Sequence, residues 1–174
     1  MTALAAAAPA PAPGLRRRLA AFVYEGVLLF GVLSIAALAY GLATQQRHAL
    51  VGMHGLQLFL FLVLGLYFTW FWTHGGQTVA MKTWQLRLLS KDGKPVSAAR
   101  AWLRYLLSWL WFVPALLGIY LAGLRSGGAV SLVLLLGLLL YGTLACFNQR
   151  RQFLHDLISR TELVYWPTVK RKSK

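Results

Sequence analysis

The chain has 174 residues and a mean hydropathy of +0.58. Hydrophobic residues make up 58% of it, a larger share than in ordinary soluble domains, which indicates a membrane protein. Its formal charge is +14, and the cations stand in clusters between long uncharged stretches. This distribution argues against a nucleic-acid partner and indicates membrane topology and anchoring to anionic lipid headgroups. The single cysteine, Cys146, excludes a disulfide framework or a cysteine-based metal site within one chain.

The N-terminal part combines an Ala/Pro tail with the first apolar stretch. Residues 1–14 repeat alanine and proline, which predicts a disordered tail. Three arginines follow, and residues 19–44 are then apolar apart from Glu25, which predicts the first transmembrane helix. A signal peptide cleaved near Ala37-Leu38-Ala39 is the alternative, but the stretch is longer than a typical signal core and contains a carboxylate.

The second apolar stretch, residues 53–73, carries no charge and is long enough to cross the ~30 Å hydrocarbon layer of a bilayer. It ends in aromatic side chains of the kind that anchor helices at the membrane interface, namely Tyr67, Trp70, Phe71 and Trp72.

The polar segment that follows, residues 74–97, predicts a folded loop. Trp84, Leu86 and Leu88 alternate with polar residues before a Lys-Asp-Gly-Lys turn, a pattern typical of a short β-hairpin on the membrane surface. Nearby, the loop motif Gly76-Gln77-Thr78 can turn the chain sharply at the membrane edge, but it lacks the lysine of a phosphate-binding loop.

Two further apolar stretches complete the membrane domain, which we place at residues 15–165. Ser97 is predicted to cap a helix that begins at Ala98, and residues 105–124 form the third span with Pro114 as a kink. Residues 129–147 form the fourth span. Residues 166–174 are a basic tail.

The positions of the cations predict the topology. Sixteen of the eighteen Lys and Arg lie before the first span, between the second and third spans, or after the fourth. By the positive-inside rule these segments face the cytoplasm, while Arg47 and Arg125 mark the outer turns. The sequence therefore predicts an all-α membrane protein with four transmembrane helices and both termini in the cytoplasm.

Glu25 is the main candidate for chemistry, because an ionisable group inside a span is costly unless it is paired, hydrated or protonated. Arg18 precedes it by seven residues and shares its helix stripe, but lies ~10 Å away along the axis. Glu25 should therefore find a partner on another helix, a hydrated cavity or a proton. A carboxylate that only holds helices together is the alternative.

A second candidate cluster, His155-Asp156, follows the fourth span beside Arg150 and Arg151. We expect His155 to titrate near physiological pH. Asp156 is either a structural clamp paired with Arg104 at the interface or an entry site for a cation or proton.

Metal and enzyme chemistry find little support in the sequence. His48, His54 and His74 show no metal-ligand spacing, and no nucleophile lies near a general base in any known pattern. We therefore predict neither a metal, a cofactor nor an enzyme activity.

Together these motifs resemble the RDD family of bacterial membrane proteins, named for one arginine and two aspartates, and the resemblance covers roughly residues 16 to 165. It departs from the family in Glu25, where aspartate is usual, and in Ala80, where glycine is common. The matching motifs are Arg18 and Glu25, Gly75-Gly76-Gln77-Thr78 with Met81-Lys82, Asp92-Gly93, Arg100, Arg104-Tyr105, His155-Asp156-Leu157 and Thr161.

The resemblance implies transport of a small ion or solute in the bacterial inner membrane, including exchange of a monovalent cation for a proton. Glu25 would bind the ion, Arg18 and Arg104 would be charge partners, and Asp156 would lie at the cytoplasmic mouth. Because four helices are few for a complete pathway, we expect a homodimer.

Two other functions remain open. The first is a non-catalytic accessory that binds a partner membrane protein or anionic lipid, and the second is a membrane enzyme that acts on lipid. Small multidrug transporters also have four helices with a glutamate in the first, but the folded loop and the His-Asp segment do not fit them.

Overall fold

The computed structural model describes residues 13–45, 53–147 and 154–167. Most of the tails predicted at 1–14 and 166–174 lies outside these residues, as do Arg47, Arg150 and Arg151. The elements are α1 (Leu15–Ala43), α2 (Met53–His74), α3 (Val79–Thr83), β1 (Leu86–Ser90), α4 (Ala98–Ser108), a 3-10 helix (Trp109–Trp111), α5 (Phe112–Leu121), α6 (Gly127–Phe147), α7 (Leu154–Ile158) and β2 (Thr161–Tyr165).

Three helical segments in the described part of the chain are long and apolar enough to cross a membrane: Leu15–Ala43, Met53–His74 and Ala98–Leu121. They correspond to the first three predicted spans. Where the sequence predicts the fourth span, the described residues contain a shorter apolar helical stretch, Gly127–Gly137, which is part of α6. In these described ranges the protein is thus mostly helical, with three candidate membrane spans.

The third span is interrupted where the sequence predicts a kink. A 3-10 turn, Trp109–Trp111, separates α4 from α5. Pro114 explains the break, because it has no amide hydrogen and its ring would collide with the carbonyl group of Leu110, four residues earlier. At the other end, the Ser97 hydroxyl accepts a hydrogen bond from the Arg100 amide at 3.5 Å, which confirms the predicted cap.

Close packing joins α2 to α4. Gly65 presents no side chain to α4, and a Cβ atom there would collide with the Trp102 ring. Tyr105 on the next turn donates a hydrogen bond to the main-chain carbonyl oxygen of Phe61 at 2.7 Å. The small residue lets the two helices approach, and the tyrosine fixes their register.

The predicted strand exists, and of the two forms predicted for this segment, a short hairpin or a folded loop, the structure shows the folded loop. β1 pairs antiparallel with β2, with Leu88 opposite Leu163, so its partner comes from the segment after α7. The chain does turn after β1, where the Ser90 amide donates to the Lys94 carbonyl oxygen at 2.9 Å. Pro95 and the Ser97 cap then direct it into α4, because proline removes a strand donor and the cap starts a helix.

The buried core lies at one end of the spans. At this end, the segment that contains α3, β1 and α4 packs against the segment that contains α7 and β2. We call these two segments, residues 75–108 and 154–167, the end module. Arg17 at the start of α1 joins it by donating to the Gln85 side chain at 3.4 Å and by stacking 4.1 Å above the Tyr165 ring. The core comprises Ala21, Trp72, Leu86, Leu88, Val96, Ala101, Tyr105 and Leu163.

Candidate functional site

The inward face of α1 is a single narrow stripe. Its buried residues are Arg18, Ala21 and Glu25, spaced three and four residues apart as one helix face requires. Arg18 is 6% exposed and Glu25 is 9% exposed, so both charged side chains face protein. Other α1 residues, such as Phe30 at 76% exposure, point outward as a lipid-facing surface would.

The Glu25 carboxylate finds its partners on two other elements. The Tyr67 hydroxyl of α2 donates to Oε1 at 2.7 Å, and the Thr78 hydroxyl at the start of α3 donates to Oε2. Each carboxylate oxygen therefore accepts a hydrogen bond. Glu25 ties α1 to α2 and α3 through hydroxyl groups; the role of Arg18 as its charge partner stays a prediction.

The loop motif delivers Thr78 to that carboxylate. Gly76 has a φ of +70°, and its carbonyl oxygen accepts from the Leu88 amide at 2.7 Å. The Gln77 side chain donates to the Leu86 carbonyl oxygen at 2.6 Å. Thr78 caps α3 by accepting from the Met81 amide at 3.2 Å. The loop motif thus links the end of α2 to β1 by hydrogen bonds and brings the Thr78 hydroxyl into contact with Glu25.

Arg104 and Asp156 form the second cluster. Arg104 Nε and Nη2 lie 2.9 and 2.8 Å from Asp156 Oδ1, so the pairing expected between α4 and α7 is present. Asp156 is fully buried, and its Oδ2 has no hydrogen-bond partner among the described residues. The guanidinium stacks 4.3 Å above the Trp72 ring. Trp72 is therefore a core residue rather than a belt residue, whereas Trp70, 61% exposed, fits the predicted belt.

His155 does not behave as expected. Burial lowers its pKa to about 4, so the ring is neutral at physiological pH, although the neighbouring Asp156 carboxylate partly opposes this shift. A neutral ring can accept at Nε2 from Arg104 Nη2, 3.3 Å away, with its proton on Nδ1. The 3.5 Å approach of His155 to Asp156 is consequently no ion pair at pH 7.

The two carboxylates belong to separate clusters. Within the described ranges, no hydrogen bond or ion pair joins Glu25 to Asp156, and Arg104 pairs with the latter. No three His, Cys, Asp or Glu side chains in the same residues lie close enough to hold a metal ion.

Sequence reasoning missed the two hydroxyls as Glu25 partners. The sequence pattern places Tyr67 in the aromatic belt and Thr78 in a turn. One signal was present: Tyr67 is the only tyrosine in α2, and a carboxylate buried in a span needs a donor from a neighbouring helix.

These features define a helical membrane protein in which a loop and a C-terminal segment close over one end of the spans. The chain belongs to the RDD family, whose sequence model matches residues 12–160, as the motif resemblance indicated. RDD proteins are membrane proteins. No curated protein and no solved structure matches the chain.

Proposed function

We propose that this protein transports a small ion or solute, and that it exchanges a monovalent cation for a proton at Glu25. The observation that carries the proposal is a carboxylate, 9% exposed, held within a candidate span by hydroxyl groups from two other elements. Ionisable side chains inside spans are rare and typically lie on ion or proton pathways.

The chemistry of the site suits competition between a proton and a cation. Glu25, Tyr67 and Thr78 offer four oxygen atoms, and oxygen is the ligand that hard cations prefer. A hydroxyl can donate to the carboxylate or turn a lone pair toward a cation. Because a proton neutralises the same carboxylate that would bind the cation, one occupant displaces the other.

The topology that accompanies this function has four spans, with α6 as the fourth and both termini in the cytoplasm of a bacterial cell. The clustering of the cations supports it. The pairing of β1 with β2 also supports it, because two paired strands lie on one side of a bilayer and the chain between them must cross an even number of times. A homodimer would supply the further helices that a pathway needs.

A second candidate is a non-transporting accessory that binds a partner membrane protein or anionic lipid through its basic face. The observation that favours it is that each Glu25 carboxylate oxygen already accepts a hydrogen bond from the protein. In this function Glu25 and the Arg104–Asp156 pair are architectural.

Flux measurements in liposomes separate the two functions. The purified protein is reconstituted with a trapped pH-sensitive dye and exposed to Na⁺, K⁺ or Li⁺ gradients. We expect proton flux driven by at least one cation, its loss in Glu25→Gln, and partial activity in Glu25→Asp. Glu162→Gln is the matched control, because Glu162 lies in β2 outside the candidate spans.

Glutamine preserves the shape of Glu25, and its NH2 group can donate to one of the two hydroxyls while its oxygen accepts from the other, so the variant should elute from gel filtration like the parent. A fully active Glu25→Gln variant, or a parent protein inert toward every gradient, would contradict exchange at Glu25 and favour the accessory role.

A further inference from the structure

A small polar cavity lies beside the loop motif, and Glu25 is not among the residues that line it. It has a volume of about 110 Å³ and lies between the end of α2, the glycine pair and the edge of β1. Its walls include Thr73, His74, Gly76, Arg87 and Pro95. A cavity of this size holds several waters or one small polyatomic anion.

Arg87 is the only charged side chain of β1, and it lies on this cavity. Its guanidinium stacks 4.7 Å above the Trp166 ring, and its buried Nε has no hydrogen-bond partner among the residues that the structure describes. None of the described acids forms an ion pair with it. A buried guanidinium donor without an acceptor is costly, so the site calls for an anionic acceptor.

The surroundings of this cavity are those expected at the depth of lipid headgroups. It adjoins the last turn of α2, where Trp70 is 61% exposed, and Trp166 beneath the guanidinium is 43% exposed. Exposed tryptophans of this kind mark the membrane–water interface.

One feature opposes an anion, namely the negative end of the α2 helix dipole. The negative potential at this helix end is reduced because carbonyl oxygens of the last turns already have side-chain partners. Thr73 donates to the Thr69 carbonyl oxygen at 2.8 Å, and His74 Nδ1 lies 3.0 Å from the Trp70 carbonyl oxygen. The cavity wall at Gly76 is bare backbone, and the Arg87 side chain packs directly against it.

We propose that this cavity binds a phosphate group, held by the planar fork of Arg87, which matches phosphate oxygens in pairs. The phosphate belongs to an anionic phospholipid or is free in solution. The site is separate from Glu25 and does not depend on transport.

Two binding titrations test the proposal and distinguish the two sources. The full chain, purified in an uncharged detergent, is titrated by calorimetry with short-chain phosphatidic acid and, separately, with inorganic phosphate. We expect saturable binding in at least one arm, and the arm that responds identifies the source. Arg87→Gln should weaken this binding about tenfold or more, the loss expected for a charge-assisted hydrogen bond.

Lys82→Gln is the matched control, because it removes one exposed positive charge from the same loop without touching the cavity. It should change the affinity by no more than about twofold. If Arg87→Gln fails to fold, Arg87→Lys keeps the charge, loses the fork and should still lose affinity. Absence of saturable binding in both arms, or equal weakening by the Arg87 and Lys82 variants, would overturn the proposal.

Discussion

At the residue scale, Arg104 and Asp156 show what a buried charge requires. A fully buried, ionised carboxylate is costly unless a cation lies against it, and Arg104 supplies two donors to the same oxygen atom of Asp156. Trp72 adds a cation–π contact on the open face of the guanidinium. The pair joins α4 to α7 and thereby fixes the C-terminal segment to the spans.

We expect Arg104→Ala to destabilise the protein by about 3 kcal/mol or more, because it leaves Asp156 buried without its cation. Arg100→Ala is the control for a more exposed arginine: Arg100 lies 3.6 Å from Asp92, their side chains are 40% and 65% exposed, and Arg100 also donates to the Ser90 hydroxyl. Its loss should cost about 1–2 kcal/mol, less than the loss of Arg104. Unfolding midpoints in detergent measure both, and equal losses would contradict the clamp role of Arg104.

His155 predicts a pH dependence of stability. Burial lowers its pKa to about 4, whereas the unfolded chain has the ordinary histidine value of about 6.5. Between these values the unfolded state binds more protons, so stability is full above pH 6.5 and falls as the pH drops toward 4, by up to about 3 kcal/mol.

The test compares unfolding midpoints of the parent and of His155→Gln between pH 7 and pH 4. Glutamine can still accept a hydrogen bond from Arg104 but does not titrate, so its curve should be flatter. Parallel curves for the two proteins would show that His155 does not contribute.

At the element scale, the junction between α2 and β1 depends on one glycine. Gly76 has a φ of +70°, and a Cβ atom there would lie 2.5 Å from the Leu88 carbonyl oxygen. Gly76→Ala should therefore destabilise the end module by about 1–3 kcal/mol. Gly75→Ala is its control, because a Cβ atom at Gly75 meets nothing within 4 Å.

Both glycine variants can be compared by thermal stability and by accumulation in the membrane. The Gly75 variant should resemble the parent, and the Gly76 variant should be depleted. A fully stable Gly76 variant would mean that this junction can relax without cost.

Short sequence patterns predicted individual helices and strands, but no such pattern showed which distant elements would pair with each other. Ser97 revealed the start of α4 through capping chemistry, and the alternation around Leu86 revealed β1. The partner of β1 was missed because period-two alternation says only that a strand has two faces, and the nearest turn suggested a hairpin. Tyr67 was missed because an aromatic residue near the end of a span has two uses, interfacial anchor and buried donor.

At the scale of the whole molecule, the proposed topology can be tested by chemical labelling. Asp92 lies in the exposed turn after β1, and Arg125 lies exposed between α5 and α6. With Cys146 replaced by serine, single cysteines at these two positions should differ: an impermeant maleimide added to intact cells should label position 125 and spare position 92. Labelling of position 92 from outside would contradict the four-span topology.

The long separation between the two strands also sets the order in which the molecule can be completed. β1 is synthesised before α4, α5 and α6, but β2 leaves the ribosome only after all of them. Until then β1 has no paired strand, Leu88 lacks its neighbour Leu163, and Arg104 has no Asp156. Incompletely covered apolar surface is what chaperones and proteases recognise in a growing chain. We therefore expect residues 154–167 to pack last, and a chain truncated before them to leave β1 and Arg104 without these partners.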